Sequence, residues 1–261
     1  MNLGAFPVLF LTILFHQAIS QEEELTAPED AGLNKDDIFA KHSCDKAEIQ
    51  QLIVDRHNEL RSQVFPRPSN MLKMQWSAEA AANAAKWAAV CAQVHSKPEQ
   101  RVVPEFHCGE NLYMSNKPHN WIKVIQGWYD ECNDFEYGVG AKAKGKVIGH
   151  YTQLSWYKTW MVGCASFMCK DKALRYYYVC QYCPAGNEKN SLFVPYTTGE
   201  LCANCTHACS NGLCTNPCPY EDDYEECPTM KDLCDSEEEG YEEEEKIKNV
   251  CAETCNCDAH I

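Results

Sequence analysis

Cysteine is the residue whose number and spacing carry the most chemical information in this sequence. The chain has 261 residues, and 18 of them are cysteines. Disulfides and metal clusters are the two explanations for so many thiols, and the even count allows every cysteine to be paired. Their dispersed spacing favours disulfides, which form in an oxidising compartment. A thiol nucleophile is therefore not expected.

No sequence motif for a known nucleophile or catalytic metal is present. The chain contains no G-x-S-x-G, no H-E-x-x-H and no papain-like cysteine signature. His57 lies on the apolar stripe of a predicted helix, where we expect a core histidine that is hydrogen-bonded to the backbone. These observations favour a binding protein over an enzyme.

The N-terminal residues have the pattern of a secretory signal peptide. Residues 1–20 carry no charged side chain, and their apolar run at residues 6–15 is too short to span a bilayer. Cleavage after Ser20 is expected, and the polar residues 21–43 predict a flexible leader. No later segment is apolar enough to cross a membrane. We therefore expect a secreted, extracellular protein without membrane insertion.

The negative charge is concentrated near the C-terminus. The formal net charge is −15, and residues 200–261 hold 17 Asp or Glu against three Lys. Such a tail repels nucleic acid and anionic membrane surfaces, so neither is an expected partner. A basic protein surface or divalent cations are compatible with it. A solvated loop is the alternative explanation for the run of glutamates at residues 237–245.

Apolar residues at helical spacing predict three helices before residue 138. The first begins near Ala47 and ends before Pro66, and the second follows Ser77, which can cap an alanine-rich segment ending at Cys91. The third helix carries an apolar face. This face consists of Trp121, Val124, Ile125, Trp128, Cys132 and Phe135.

Two strands are predicted after the helices, and a second module follows them. Residues 161–169 and 174–183 read as strands joined by residues 170–173, and this order of helices and strands predicts an α+β domain with α-β-α layers. Beyond residue 199, ten cysteines occur within about sixty residues. Disulfides must stabilise so small a module.

Four segments in order resemble motifs of the CAP superfamily. Residues 149–156 and 178–187 resemble its two signatures, and residues 57–61 and 109–112 match two further motifs. The cysteine spacing from Cys202 to the end resembles the hinge and the ion-channel-regulator-like module of the cysteine-rich secretory proteins. The resemblance implies a CAP domain at 44–198, a disulfide-rich hinge at 199–220 and a cysteine-rich domain at 221–261.

The resemblance also implies how the cysteines pair. In the CAP domain it implies the pairs Cys91–Cys169, Cys108–Cys183 and Cys164–Cys180. Cys44 and Cys132 remain, and we expect them to pair with each other, with free thiols or an intermolecular bond as alternatives. Ten tail cysteines form an even set that can close within the tail: Cys202, Cys205, Cys209, Cys214, Cys218, Cys227, Cys234, Cys251, Cys255 and Cys257.

In the CAP superfamily, a cavity is lined by two histidines and two glutamates. The resemblance places them here at His95, Glu110, Glu131 and His150. Two imidazoles with carboxylates are suitable ligands for Zn²⁺, and the same groups could perform acid–base chemistry. A structural network in which each group satisfies another is the third interpretation. We take His95 and His150 as the candidate metal ligands.

Two classes of function remain open at this stage. In the first, the CAP domain presents the cysteine-rich module to an ion channel or another cell-surface protein, as the resemblance implies. In the second, the His and Glu residues serve a protease-like hydrolase. Sterol or lipid binding, known for some CAP proteins, is a further alternative. The absence of a nucleophile motif favours the first class, and the sequence does not indicate an oligomeric state.

Overall fold

The computed structural model describes residues 33–234, 242–257 and 260–261. The predicted signal peptide, most of the predicted leader and the glutamates at 237–239 lie outside the described residues. Within the described residues, the α-helices are α1 (Lys35–Lys41), α2 (Ala47–Ser62), α3 (Ala78–Val90), α4 (Trp121–Tyr129), α5 (Gly149–Leu154), α6 (Glu242–Val250) and α7 (Ala252–Asn256). No helix in these ranges is both long enough and apolar enough to cross a bilayer.

Helices α2 and α3 confirm the predictions made from periodicity and capping. Helix α2 ends at Ser62, before Pro66, and buries Ile49, Ile53 and Leu60. The Ser77 hydroxyl caps α3 by accepting the N–H of Ala80 at 3.1 Å. Sequence patterns therefore located both helices to within a residue or two.

The flexible leader predicted at 21–43 is wrong for its last residues, which form α1. The Asn34 side chain caps this helix by accepting the N–H groups of Asp36 and Asp37. The ring of Phe39 lies 5.1 Å from that of Tyr176, and Trp121 donates to the carbonyl of His42 at 3.0 Å. The Phe39 ring and the hydrogen bond from Trp121 thus anchor this segment to the core.

Helix α4 is shorter than its apolar pattern predicts. It ends at Tyr129, and a 3-10 helix at Asp130–Asp134 carries the chain to a strand that begins at Phe135. In this 3-10 helix the carboxylate of Glu131 accepts the N–H groups of His150 and Tyr151 at 2.9 and 3.1 Å. The change in helix type thus coincides with a contact to the start of α5.

Ten strands occur in the described residues, four of them in one sheet. They are β1 (Gln75–Trp76), β2 (Val102–Val103), β3 (Phe106–His107), β4 (Gly109–Ser115), β5 (Phe135–Glu136), β6 (Gly140–Ala141), β7 (Met161–Met168), β8 (Tyr176–Cys183), β9 (Cys209–Ser210) and β10 (Leu213–Cys214). The main sheet has the order β1-β7-β8-β4, with β1 parallel to β7 and the other pairs antiparallel. Strands β7 and β8 match the prediction, whereas β4 was not predicted.

Alternating side chains of β8 separate two helical layers. Tyr176, Tyr178 and Tyr182 belong to the core cluster that includes residues of α2 and α4. Tyr177 and Val179 instead pack with the small residues of α3. Because successive strand residues point to opposite faces, helices cover both sides of the sheet. This confirms the predicted α-β-α sandwich.

Sixteen of the eighteen cysteines form eight disulfides. In the CAP domain they join Cys91 to Cys169, Cys108 to Cys183 and Cys164 to Cys180, the pairs that the resemblance implies. The tail contains Cys202–Cys209, Cys205–Cys214, Cys218–Cys257, Cys227–Cys251 and Cys234–Cys255. None of the eight crosses residue 199.

The expected pair Cys44–Cys132 is not formed, and both cysteines are free thiols. Cys44 follows His42, which contacts Trp121 at the start of α4, whereas Cys132 lies beyond the end of that helix. Eleven residues at 1.5 Å each separate the two ends by roughly 16 Å, more than twice the Cα separation of about 7 Å that a disulfide allows. Counting leftover cysteines could not reveal this distance.

The first part of the hinge packs against the CAP domain. The N–H of Lys73 donates to the carbonyl of Cys214 at 2.8 Å, and the N–H of Cys214 donates to the carbonyl of Met71 at 2.8 Å. Leu213 is buried in a core cluster with Val64 and Tyr196. No disulfide thus joins the tail to the CAP domain, but the first strand pair of the tail is not an independent linker.

Candidate functional site

The first His–Glu pair lies where the loop after α3 meets β4. The Nδ1 atom of His95 is 3.0 Å from Oε1 of Glu110, and the Ser96 N–H and hydroxyl donate to the same carboxylate at 2.9 and 2.8 Å. The Glu110 side chain is fully buried, while that of His95 is 58% exposed. Burial raises the pKa of Glu110, but the hydrogen bonds from His95 and Ser96 outweigh it and lower this pKa below its usual value. The pair therefore has an ionised base and an accessible imidazole.

The second pair joins the first turn of α5 to the 3-10 helix after α4. Nδ1 of His150 lies 2.6 Å from Oε1 of Glu131. The imidazole is stacked at 21° on the ring of Trp128, whose indole N–H donates to the carbonyl of Leu112 at 3.1 Å. Contacts on two sides thus fix the orientation of His150.

Asn111 connects the two pairs. It follows Glu110 in β4, and its side-chain N–H group donates to the carbonyl of His150 at 3.0 Å. The same group contacts the Tyr182 hydroxyl, which lies 2.9 Å from Nε2 of His57. The four residues predicted from the resemblance are thereby linked around β4 in two bonded pairs.

The donor atoms of these pairs suit an open metal site better than a closed one. A carboxylate at Nδ1 leaves Nε2 of each imidazole as a ligand atom, an arrangement common around metal-bound histidines. In the described parts of the chain, the only three His, Cys, Asp or Glu ligand atoms mutually within 4.8 Å belong to Cys202, Cys205 and Cys214, which are in disulfides. Each imidazole thus keeps one ring nitrogen that could bind Zn²⁺, and the His–Glu pairs form no three-ligand cage in the part of the chain that the structure describes.

Two family comparisons cover most of the chain. Residues 54–182 match the CAP family, described as the cysteine-rich secretory protein family, and residues 202–261 match the Crisp family. Human cysteine-rich secretory protein 3 is 47% identical over 232 residues, which is 88% of this chain and 92% of that protein. Human cysteine-rich secretory protein 2 is 44% identical over 260 residues, which is 99% of this chain and 100% of that protein.

The chain belongs to the cysteine-rich secretory protein family. This confirms the family resemblance and, with eight disulfides, the secreted, extracellular localisation. The crystal structure of NaASP2 with Zn²⁺ is 31% identical with a TM-score of 0.54, and the match covers 65% of this chain and 96% of that one. That similarity supports the CAP fold of this cysteine-rich secretory protein.

Two serine hydroxyls in this family member are hydrogen-bonded to acceptors within the protein. The hydroxyl of Ser96 donates to Glu110, and that of Ser155 donates to the carbonyl of Tyr151 at 2.8 Å. Burial raises the pKa of both free thiols, Cys44 and Cys132, which disfavours their thiolates.

Sequence reasoning identified the motif at 57–61 but missed the role of Arg61 in it. Its buried guanidinium donates to the carbonyls of Leu72, Leu154 and Thr159 at 2.7, 2.7 and 2.9 Å. These bonds fix the chain that leaves α5, the helix of His150. Backbone acceptors have no sequence signature, so only the structure shows this role.

His57 is the predicted core histidine, with Nδ1 2.8 Å from the carbonyl of Ile53.

Proposed function

We propose that this cysteine-rich secretory protein is a non-enzymatic binding protein that attaches to a cell-surface protein, ion channels included. The observation that carries the proposal is the rigid, acidic C-terminal module. Five disulfides close the chain after residue 199, and residues 200–261 hold 17 acidic residues against three Lys. A preorganised module loses little entropy on binding, and its charge steers it to basic surfaces.

The experiment uses the full chain on intact cells. Labelled protein should bind saturably, binding should fall after the cell surface is treated with trypsin, and it should weaken as salt rises. The variant Glu225→Gln with Glu226→Gln should bind less than Glu48→Gln with Asp171→Asn, which removes the same charge from the CAP domain. Binding that does not saturate, or that survives trypsin, would refute a protein receptor.

A second function, divalent-metal binding, is favoured by the two His–Glu pairs. His95 and His150 would hold Zn²⁺ through Nε2, while Glu110 and Glu131 orient the imidazoles. The ion would supply a fixed positive charge at these two histidines. Support comes from the carboxylate contacts at both Nδ1 atoms and from a CAP relative whose crystal structure was determined with Zn²⁺.

Calorimetric titration with zinc chloride tests the metal site. One ion per chain should bind, His150→Ala should abolish binding, and the hinge variant His207→Ala should leave it unchanged. Protonated imidazole cannot ligate, so affinity should weaken below about pH 6. Glu131→Gln should weaken it by roughly 10- to 100-fold through loss of imidazole orientation. Unchanged affinity in His150→Ala would exclude the site.

A further inference from the structure

A cleft with a volume of about 520 Å³ separates the CAP domain from the C-terminal module. We call it the boundary cleft. The hairpin β2–β3 and its turn, residues 102–107, form one wall, and residues 220–223 with Asn249 and Ala252 form the other. None of the four residues of the His–Glu pairs lines it.

The hairpin wall is anchored in the CAP core and presents an apolar side chain. Val103 and Phe106 are buried in the CAP core, where the Phe106 ring lies 6.2 Å from that of Trp160. Their neighbours Val102 and His107 form a cross-strand pair and are exposed. Alternation along the two short strands thus turns Val102 away from the core.

The opposite wall is fixed by hydrogen bonds and disulfides. Both carboxylate oxygens of Asp222 accept from Thr254, from its N–H at 2.9 Å and its hydroxyl at 2.6 Å. The N–H of Asp223 donates to the carbonyl of Val250 at 2.8 Å. The disulfide Cys227–Cys251 closes the same segment. A ligand would therefore meet two preformed surfaces.

The acidic side chains that line the boundary cleft face no Lys or Arg among the other lining residues. Its lining residues include Glu105, Glu221, Asp222 and Asp223, but neither Lys nor Arg. Burial raises the pKa of Glu221, and the carboxylates of Glu253 and Glu188 outside the cleft raise it further, while Lys158 and His107 oppose them. Acids crowded between low-dielectric walls concentrate the electrostatic field on a cationic ligand.

We infer that the boundary cleft binds an extended basic segment of a protein partner. Lys or Arg side chains of the segment face Glu105 on one wall and Glu221 on the other, and an apolar side chain packs on Val102. The inference rests on the proposed binding function and adds the place and the chemistry of the contact. Salt-sensitive binding with rapid association follows from this charge pattern.

The spacing of the acids favours such a segment over a single divalent cation. In the described part of the chain, no three carboxylate oxygens from different residues lie within 4.8 Å of one another. Asp222 is further occupied by its two bonds to Thr254. The carboxylates of the described residues thus do not converge on one point, which suits several cations on one extended chain better than a single ion.

The test measures the affinity of the full chain for a synthetic peptide of alternating Lys and Leu that carries a photo-crosslinking group. The double variant Glu105→Gln with Glu221→Gln should weaken binding about tenfold. The control variant Glu48→Gln with Asp171→Asn removes the same charge from exposed sites elsewhere and should change affinity roughly twofold at most. Cross-links should map to residues 102–107 and 220–223.

Three results would overturn the inference: an equal loss of affinity in both variants, cross-links confined to the glutamates at 237–245, or displacement of the peptide by one equivalent of Ca²⁺.

The cell-binding experiment separates this inference from the proposed function. If the double variant binds cells like the unmodified chain, the cleft is not the contact and the proposed function stands. If the unmodified chain does not bind cells at all, the proposed function fails, while peptide affinity still reports on the cleft.

Discussion

The side-chain amide of Asn111 donates to the backbone carbonyl of His150 at 3.0 Å, across 39 positions of the sequence. Because Asn111 follows Glu110 in β4, this bond holds the two His–Glu pairs in one arrangement. Asn111 is also fully buried. Loss of its side chain leaves the carbonyl without this donor in a region that water cannot easily enter.

Replacing Asn111 should therefore destabilise the fold and loosen the site. We expect Asn111→Ala to lower the free energy of unfolding by about 1–3 kcal/mol, the cost of an unsatisfied buried polar group. Asn133→Ala, which removes an exposed local bond, should cost less than about 0.5 kcal/mol. Urea unfolding of both variants measures the difference, and equal effects would contradict the assigned role.

The buried imidazole of His57 should make stability depend on pH. Burial is the main cause that lowers the pKa of His57 to about 4. In the unfolded chain a histidine titrates near pH 6.5, so between these values the unfolded state binds the extra proton. The free energy of unfolding should thus fall by about 3 kcal/mol as pH decreases from about 6.5 to 4.

Denaturant unfolding across this range, with EDTA present, measures the effect without bound metal. His57→Gln should lower stability at pH 7 and flatten the slope between pH 6.5 and 4. The exposed control His107→Gln should retain the slope. A slope that persists in His57→Gln would assign the acid sensitivity to another group.

Arg61 should not be replaceable by lysine. Its planar guanidinium directs donors to several backbone carbonyls at once, whereas an ammonium group cannot reach all of them. Arg61→Lys should cost roughly 3–5 kcal/mol because carbonyls and a charge remain buried without partners. The exposed control Arg67→Lys should be neutral in the same unfolding assay. A similar stability of the two variants would contradict the assignment.

The two free thiols can be counted chemically. Alkylation of the unreduced, denatured protein should add two groups per chain, at Cys44 and Cys132. In the native state Cys44 should react last, because it packs against the core cluster beside Trp121. Mass spectrometry after digestion locates the labels. No labelling without reduction would show that these cysteines are paired.

The sequence predicted local elements well and distant contacts poorly. Helix α3 followed from its alanines and the Ser77 cap, and the tyrosine-rich segment identified β8. Strand β4 was missed because its partner β8 lies about seventy positions later and its own residues, Gly109 to Ser115, do not alternate clearly between apolar and polar. Helix α1 was missed because the contacts that hold its segment, from Phe39 to Tyr176 and from Trp121 to His42, join residues far apart in the sequence.

For the site, the resemblance supplied His95, Glu110, Glu131 and His150, and the structure supplied their pairing. Which glutamate holds which histidine depends on how the loop after α3 and the start of α5 approach β4. Side-chain bonds to backbone carbonyls, such as those of Arg61 and Asn111, leave no pattern in a single sequence. Both features depend on the folded structure and not on a local sequence pattern.

The hinge should behave as part of the CAP core. Leu213 is 2% exposed and packs with Val64, Met71 and Tyr196, although it lies beyond the predicted boundary at residue 199. Leu213→Ala should therefore lower the free energy of unfolding of the CAP domain by about 2–5 kcal/mol through loss of apolar burial and a cavity. The matched control is Leu233→Ala in the C-terminal module, where the leucine is 47% exposed.

Intrinsic tryptophan fluorescence reports on the CAP domain in this experiment, because all six tryptophans precede residue 161. A shift of its unfolding midpoint in Leu213→Ala, and little change in Leu233→Ala, is the expected result. After proteolytic cleavage of the unreduced protein between residues 199 and 202, the tail should stay associated through the bonds between Cys214 and the chain at residues 71–73. Immediate release of the tail, or an unchanged midpoint in Leu213→Ala, would show that the hinge is an independent linker.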